Sequence, residues 1–247
     1  MSLTAKLLLS PVLVAQALAT RNRLPRLPEA EGERSGQTGH GPLLSLLIVG
    51  DSSAAGVGVA RQSDALAGHL SRSLATQCGA RVHWHLLARS GLTSAQCLKW
   101  IEAEATLAAD VAVVVLGVND VVEQVPSQQA VRARESIANR LRNAHGVAHV
   151  VFTPLPPVSR FPGLPQPLRW VAGADARRHD QAMAQWAASR DDVSHVPIDL
   201  PLNRGVMADD GFHPGAPVYR VCGVVLAEYI ASAVWPRLHG LRQQAPA

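Results

Sequence analysis

Residues 111–116 read VAVVVL, six apolar residues in unbroken succession. A strand with one face in water alternates apolar and polar residues, so a run without alternation is what a strand covered on both faces requires. Four more short apolar runs accompany it, at residues 45–49, 82–87, 147–152 and 194–198. Segments with helical spacing lie between them, at residues 64–77, 94–107, 127–143 and 174–189, and a last amphipathic segment runs from residue 217 to 238. Alternating strands and helices join through right-handed crossovers into a parallel sheet with helices on both faces. The pattern therefore predicts a three-layer α/β/α sandwich around a five-stranded parallel sheet. It forms one domain over residues 43–240, preceded by an apolar helix and a Pro/Gly-rich arm (residues 1–42) and followed by a short tail (residues 241–247). A chain of 247 residues is long enough for such a core.

Composition removes several classes of function. The formal charge of +4 is mild, and Arg132, Arg134, Arg177 and Arg178 read as solvated helix faces with no aromatic platform beside them, so nucleic acid is not an expected partner. Cys78, Cys97 and Cys222 are far apart, which argues against a disulfide framework or a zinc site and leaves them as small hydrophobes. His83 and His85 share a strand face but have no third ligand nearby in sequence; His179, His195 and His239 read as surface residues. The N-terminal stretch KLLLSPVLVAQALA imitates a signal peptide, yet Pro11 interrupts it and Arg21, Arg23 and Arg26 follow at once. A retained helix, docked on the domain or in peripheral contact with a membrane, is favoured over a cleaved signal, and a cytoplasmic or membrane-peripheral location over export.

In open parallel sheets, ligands bind beyond the carboxyl ends of the strands. Every candidate polar block falls there: Gly50-Asp51-Ser52-Ser53, then Arg89-Ser90-Gly91, then Gly117-Val118-Asn119-Asp120, and after the last strand Asp210-Gly211-Phe212-His213-Pro214. Phosphate binding is a poor fit. No lysine follows Gly56, the glycines do not make a dinucleotide fingerprint, and Asp51 would repel an anion. A nucleophile fits better. A serine hydroxyl needs a neighbouring base, and the base needs an orienting group. His213 supplies an imidazole that titrates near neutral pH, and Asp210, three residues earlier, can reach its Nδ1–H. Pro214 suits the first turn of the closing helix. Alone, this block is an ordinary turn into a helix; beside a serine at another strand end it reads as a base and its orienter. Asn119 is either turn chemistry or an oxyanion donor. Gly91 would let its N–H approach a substrate closely. Asp51 reads as a loop tie and Asp120 as a turn or cap residue.

In this order, the four blocks resemble those of the SGNH hydrolases of the GDSL esterase/lipase superfamily, and the first block is similar to a small bacterial branch of it. The resemblance implies the flavodoxin-like fold of that superfamily, with Ser52 as nucleophile, His213 as base and Asp210 as its orienter. The oxyanion hole would comprise the Ser52 and Gly91 N–H groups and the Asn119 side chain. It implies hydrolysis of a small-molecule carboxylic ester through an acyl-enzyme, with no metal or organic cofactor. The same triad would serve an acyltransferase or thioesterase, and a non-catalytic binding module is a further alternative. Two departures stand out: a serine follows Ser52 where the superfamily has leucine, and Arg89-Ser90 precede Gly91 where it has asparagine. Val121, Val122, Val125, Leu155, Val158, Phe161 and Leu164 either line an acyl pocket or pack the loops onto the sheet.

Overall fold

A computed structural model of the chain describes residues 3–200 and 202–244. Six strands form one sheet: β1 Ser35–Thr38, β2 Leu43–Gly50, β3 Arg81–Ala88, β4 Val111–Val115, β5 His149–Phe152 and β6 Val193–His195, in the order β1-β3-β2-β4-β5-β6. The five strands expected from the apolar runs are all present and all parallel to one another. β2 carries the core on alternate residues: Leu44, Leu46 and Ile48 enter one apolar cluster, Leu47 and Val49 the other. The helices are α1 Leu3–Arg23, α2 Leu66–Cys78, α3 Ser94–Ala103, α4 Val118–Val122, α5 Ser127–His145, α6 Leu168–Ala187, α7 Ala216–Tyr229 and, beyond a π turn at Ile230–Val234, α8 Trp235–Gln244. α2 and α7 cover the first face through Leu70, Leu74 and Leu226; α3, α5 and α6 cover the second through Ile101, Leu141 and Met183. Each such side chain, fully buried, contributes roughly 1.5–3 kcal/mol of transfer free energy.

Two features depart from the sequence expectation. The sixth strand, β1, lies in what reads as a linker and pairs antiparallel with the edge strand β3. Its four residues, SGQT, have no apolar face, so hydrophobic periodicity carries no trace of it. Its pairing covers β3 and leaves a short polar strand at the edge of the sheet. Second, α4 is an additional five-residue helix directly after β4. The N-terminal helix α1 forms as expected and turns polar contacts to the domain: Gln16 Nε2 donates to the Gln166 carbonyl at 2.6 Å, Gln16 Oε1 accepts from Leu168 N–H at 3.0 Å, and Arg23 donates to the Gly163 carbonyl at 3.0 Å. Among the described residues the helix long and apolar enough to cross a membrane is Ala216–Gly240, not the N-terminal one. This corrects the expected membrane contact through the N-terminus. The C-terminal helix is apolar for a structural reason, because α7 supplies one wall of the core.

Across the sheet the parallel strands stand in the order β3-β2-β4-β5-β6, so the winding of the chain reverses between β2 and β4. That reversal opens a crevice beyond their carboxyl ends. Ser52 follows one of these strands and Asn119 the other.

Candidate active site

β2 ends at Gly50, and the chain turns at once: Asp51 N–H donates to Val115 O at 3.2 Å and Ala55 N–H to Asp51 O at 2.9 Å. Asp51 closes this turn with its side chain, Oδ1 accepting from Ser53 N–H at 3.0 Å. Ser52 is thereby presented at the crevice. The last block is an equally tight loop, with Ala208 N–H donating to His213 O at 2.9 Å and Gly211 N–H to Ala208 O at 2.8 Å. Across 161 residues of chain the loop delivers His213 Nε2 to 3.0 Å from Ser52 Oγ. On the other side of the ring, Nδ1 lies 2.6 Å from Asp210 Oδ2. A carboxylate only accepts, so Nδ1 carries the proton and Nε2 is left to accept from the serine hydroxyl.

Asp210 is almost fully buried, and its Oδ1 accepts from the N–H groups of Phe212 and His213, each at 2.9 Å. Burial alone would raise its pKa. The His213 ring and the two N–H donors outweigh it, so the carboxyl stays below its usual range and ionised at neutral pH. Pro214 differs from expectation. It bridges antiparallel to Met207, and α7 begins two residues later with Pro217 in its first turn.

Asn119 also reaches the crevice, but both hydrogens of its amide are engaged: Nδ2 donates to Leu92 O at 3.0 Å and to Asp51 Oδ2 at 3.2 Å. Gly91 is exposed and is not among the residues that wall the cleft. Its φ is +83° and a Cβ there would find open space. The positive φ favours glycine at this position.

Behind Asn119 stands a buried ion pair that sequence did not reveal. Asp120 Oδ2 accepts from Arg134 Nη2 at 3.0 Å, and both side chains are 1% exposed. Ser94, the first residue of α3, donates to Asp120 through its N–H at 2.9 Å and its hydroxyl at 2.5 Å, while Arg134 Nε donates to Ser94 Oγ at 3.0 Å. Gly117 is obligatory beside it: φ is +135°, and a Cβ would sit 2.4 Å from Arg134 Nη2. Arg134 is therefore a core residue, not a solvated one, and Asp120 is the hub joining α3, α4 and α5. His179 is likewise buried in α6, and His195 pairs with Asp180 at 2.8 Å instead of lying free on the surface. His83 bonds Gln37 of β1 at 2.7 Å.

Asp51 is buried, and desolvation pushes its pKa up to about 6 from 3.8. Between those two values the folded chain holds a proton that the unfolded chain releases, so this group's contribution to stability grows as pH falls from about 6 towards 4. Urea unfolding of the wild type and Asp51→Asn across this range should show the wild type gaining stability relative to the variant as pH falls. Parallel curves would contradict the burial effect.

The cleft runs inward from Ser52 and His213 between the sheet end and α7. Leu66, Ile198, Leu200, Met207, Val218 and Cys222 are among the side chains that wall it, with Phe161 and Phe212 packed edge to face at 5.3 Å. Of the loop residues considered for an acyl pocket, Phe161 lines the cleft. Val121, Leu155, Val158 and Leu164 pack beneath the loops, and Val122 is exposed. The residues missed lie on α7, on the start of α2 and in the segment after β6, where they read as ordinary core.

The model of the GDSL-like lipase/acylhydrolase family matches residues 48–221. The GDSL-like esterase Rv1075c of Mycobacterium tuberculosis is 29% identical over 250 residues, which cover 92% of this chain and 78% of that protein. Among solved structures, the lipase Lip_vut3 from a goat rumen metagenome superposes with a TM-score of 0.61 at 16% identity, over 76% of this chain and 97% of its own. The psychrotrophic esterase EstA of Pseudoalteromonas, solved in a form inhibited by monoethylphosphonate, gives 0.54 at 16% identity, over 75% and 96%.

Proposed function

The chain belongs to the GDSL-like lipase/acylhydrolase family and is a carboxylic ester hydrolase, and from that premise we propose that it works through an acyl-enzyme on Ser52, with His213 as base and Asp210 as its orienter. The observation that carries this reading is the relay Ser52–His213–Asp210, with contacts of 3.0 and 2.6 Å, at the mouth of an apolar cleft. Ser52 Oγ attacks the ester carbonyl as Nε2 takes its proton, and the ionised Asp210 stabilises the imidazolium that results. The oxyanion is met by the N–H groups of Ser52 and Gly91 and by Asn119, which turns one amide hydrogen from Asp51 Oδ2 towards the new charge. His213 then protonates the departing alcohol, water takes the alcohol's place, and the steps repeat in reverse to free the acid and the serine. His213 handles each proton moved, so no step calls on a metal or an organic cofactor.

The acyl group occupies the cleft. No lysine or arginine lines it among the described residues, which suits an uncharged chain, and each methylene buried there is worth about 0.8 kcal/mol. An alkyl fluorophosphonate should place a single adduct on the peptide that carries Ser52. The hexyl reagent should react at least about tenfold faster than the ethyl one, since four more methylenes are buried. An adduct elsewhere, or none, would refute the nucleophile; equal rates would refute the acyl site.

A further inference from the structure

Residues 29–34 precede the stretch that the family model matches, yet they are bonded to both loops on which the Ser52 reaction depends. On the nucleophile side, Ala30 N–H donates to Ala55 O at 3.2 Å and Glu31 N–H to Ala60 O at 2.9 Å. The buried amide of Gln62 donates to Ala55 O at 2.9 Å and to Ala30 O at 3.2 Å. On the Gly91 side, Glu29 Oε1 accepts two bonds from one residue: Ser90 N–H at 2.8 Å and Ser90 Oγ at 2.7 Å. Its other oxygen is paired with Arg34, whose Nη1 donates to Ala88 O at 2.5 Å and whose carbonyl accepts from Leu86 N–H at 2.7 Å. The arm is thus a strut fixed at one end to the Ser52 loop and at the other to the residue just before Gly91.

That loop needs such a hold. Ser90 and Gly91 are exposed, and apart from its two chain neighbours no residue places an atom within 4 Å of where a Gly91 Cβ would be, so packing around that side of the glycine does not orient its peptide. The direction of the Gly91 N–H follows from the conformation of Ser90, and Glu29 holds Ser90 by two of its groups. We propose that Glu29 is a positioning residue: its carboxylate, anchored by Arg34, fixes the Ser90–Gly91 turn in the orientation that presents the Gly91 N–H to the oxyanion. This rests on the oxyanion role assigned to Gly91 above. The carboxylate touches no reacting atom; it acts through Ser90.

The test uses the full chain and a nitrophenyl ester, with kcat, KM and melting temperature measured for wild type, Glu29→Ala, Glu29→Gln, Ser90→Ala and the Glu29→Ala/Ser90→Ala pair, and with Ser52→Ala as the reference for lost chemistry. Glu29→Ala should lower kcat roughly tenfold, less than the loss of an oxyanion donor outright, with KM within about twofold. Glu29→Gln keeps an accepting oxygen and should recover part of the loss. The double variant should be no slower than Glu29→Ala, because the two residues act through one contact. Wild-type kcat in Glu29→Ala, or a change confined to KM, overturns the strut while an inactive Ser52→Ala leaves the esterase reading standing. Full activity in Ser52→Ala overturns the reading and the strut together. Should Glu29→Ala fail to fold, unaltered kcat in both Glu29→Gln and Ser90→Ala would overturn the proposal on its own.

Discussion

Replacing Ser52 with alanine is expected to lower kcat for a nitrophenyl ester by about 10⁶-fold, the scale at which a serine nucleophile backed by a histidine is lost. KM should move little, because the cleft that holds the acyl group is walled by residues the substitution does not touch. The pattern across the relay is as informative as the size. His213→Ala should cost nearly as much as Ser52→Ala, and the double variant little more than either, since the 3.0 Å contact makes hydroxyl and imidazole one device. Asp210→Asn should be severe but milder, because the imidazole would lose its ionised partner and the preference for the productive tautomer while the serine remains. Steady-state kinetics decide the matter: three additive losses, or a Ser52→Ala protein within tenfold of wild type, would show that the relay seen in the fold is not the one that cleaves esters.

The largest expected effect on stability lies behind the site. Arg134→Met should destabilise the fold by roughly 3–5 kcal/mol, because it leaves the Asp120 carboxylate buried without a counter-charge. In a chain of this size that corresponds to a fall in melting temperature of about 10 °C. Asp120→Asn added to Arg134→Met should recover a substantial part of the loss by removing the stranded charge, even though it removes a second polar partner. A double variant as unstable as Arg134→Met alone would mean that packing around Gly117, not charge, sets the cost. Activity should fall in Arg134→Met as well, because Asp120 and Ser94 tie α3, and the Gly91 loop before it, to α4, which carries Asn119.

Several parts of this picture were legible in the chain itself. The unbroken apolar run at residues 111–116 specifies a strand covered on both faces, and the alternation of strands with helices makes the sheet parallel. Once the sheet is parallel, the strand ends fall on one edge, and short polar blocks such as Gly50-Asp51-Ser52 and Asp210-Gly211-Phe212-His213 become legible as neighbours. What failed did so for identifiable reasons. β1 has no apolar face, so it left no periodic signal. Arg134 looks like any exposed arginine on a helix until its partner 14 residues away is seen to face it. The cleft wall is drawn from α2, α7 and the segment after β6, whose apolar residues resemble the rest of the core; the loops singled out for it mostly pack beneath themselves.

Sequence by itself determined the layers, the sheet edge at which the candidate blocks fall and the residue types offered there, because hydrophobic periodicity and turn chemistry act over a few residues and are written locally. Tertiary structure alone decided which polar groups meet: His213 with Ser52 across 161 positions, Asn119 with Asp51 across 68, Glu29 with Ser90 across 61. A hydrogen bond depends on distance and direction between groups that chain spacing does not encode, so these partners became definite only when packing of the two apolar clusters had fixed the loops in space.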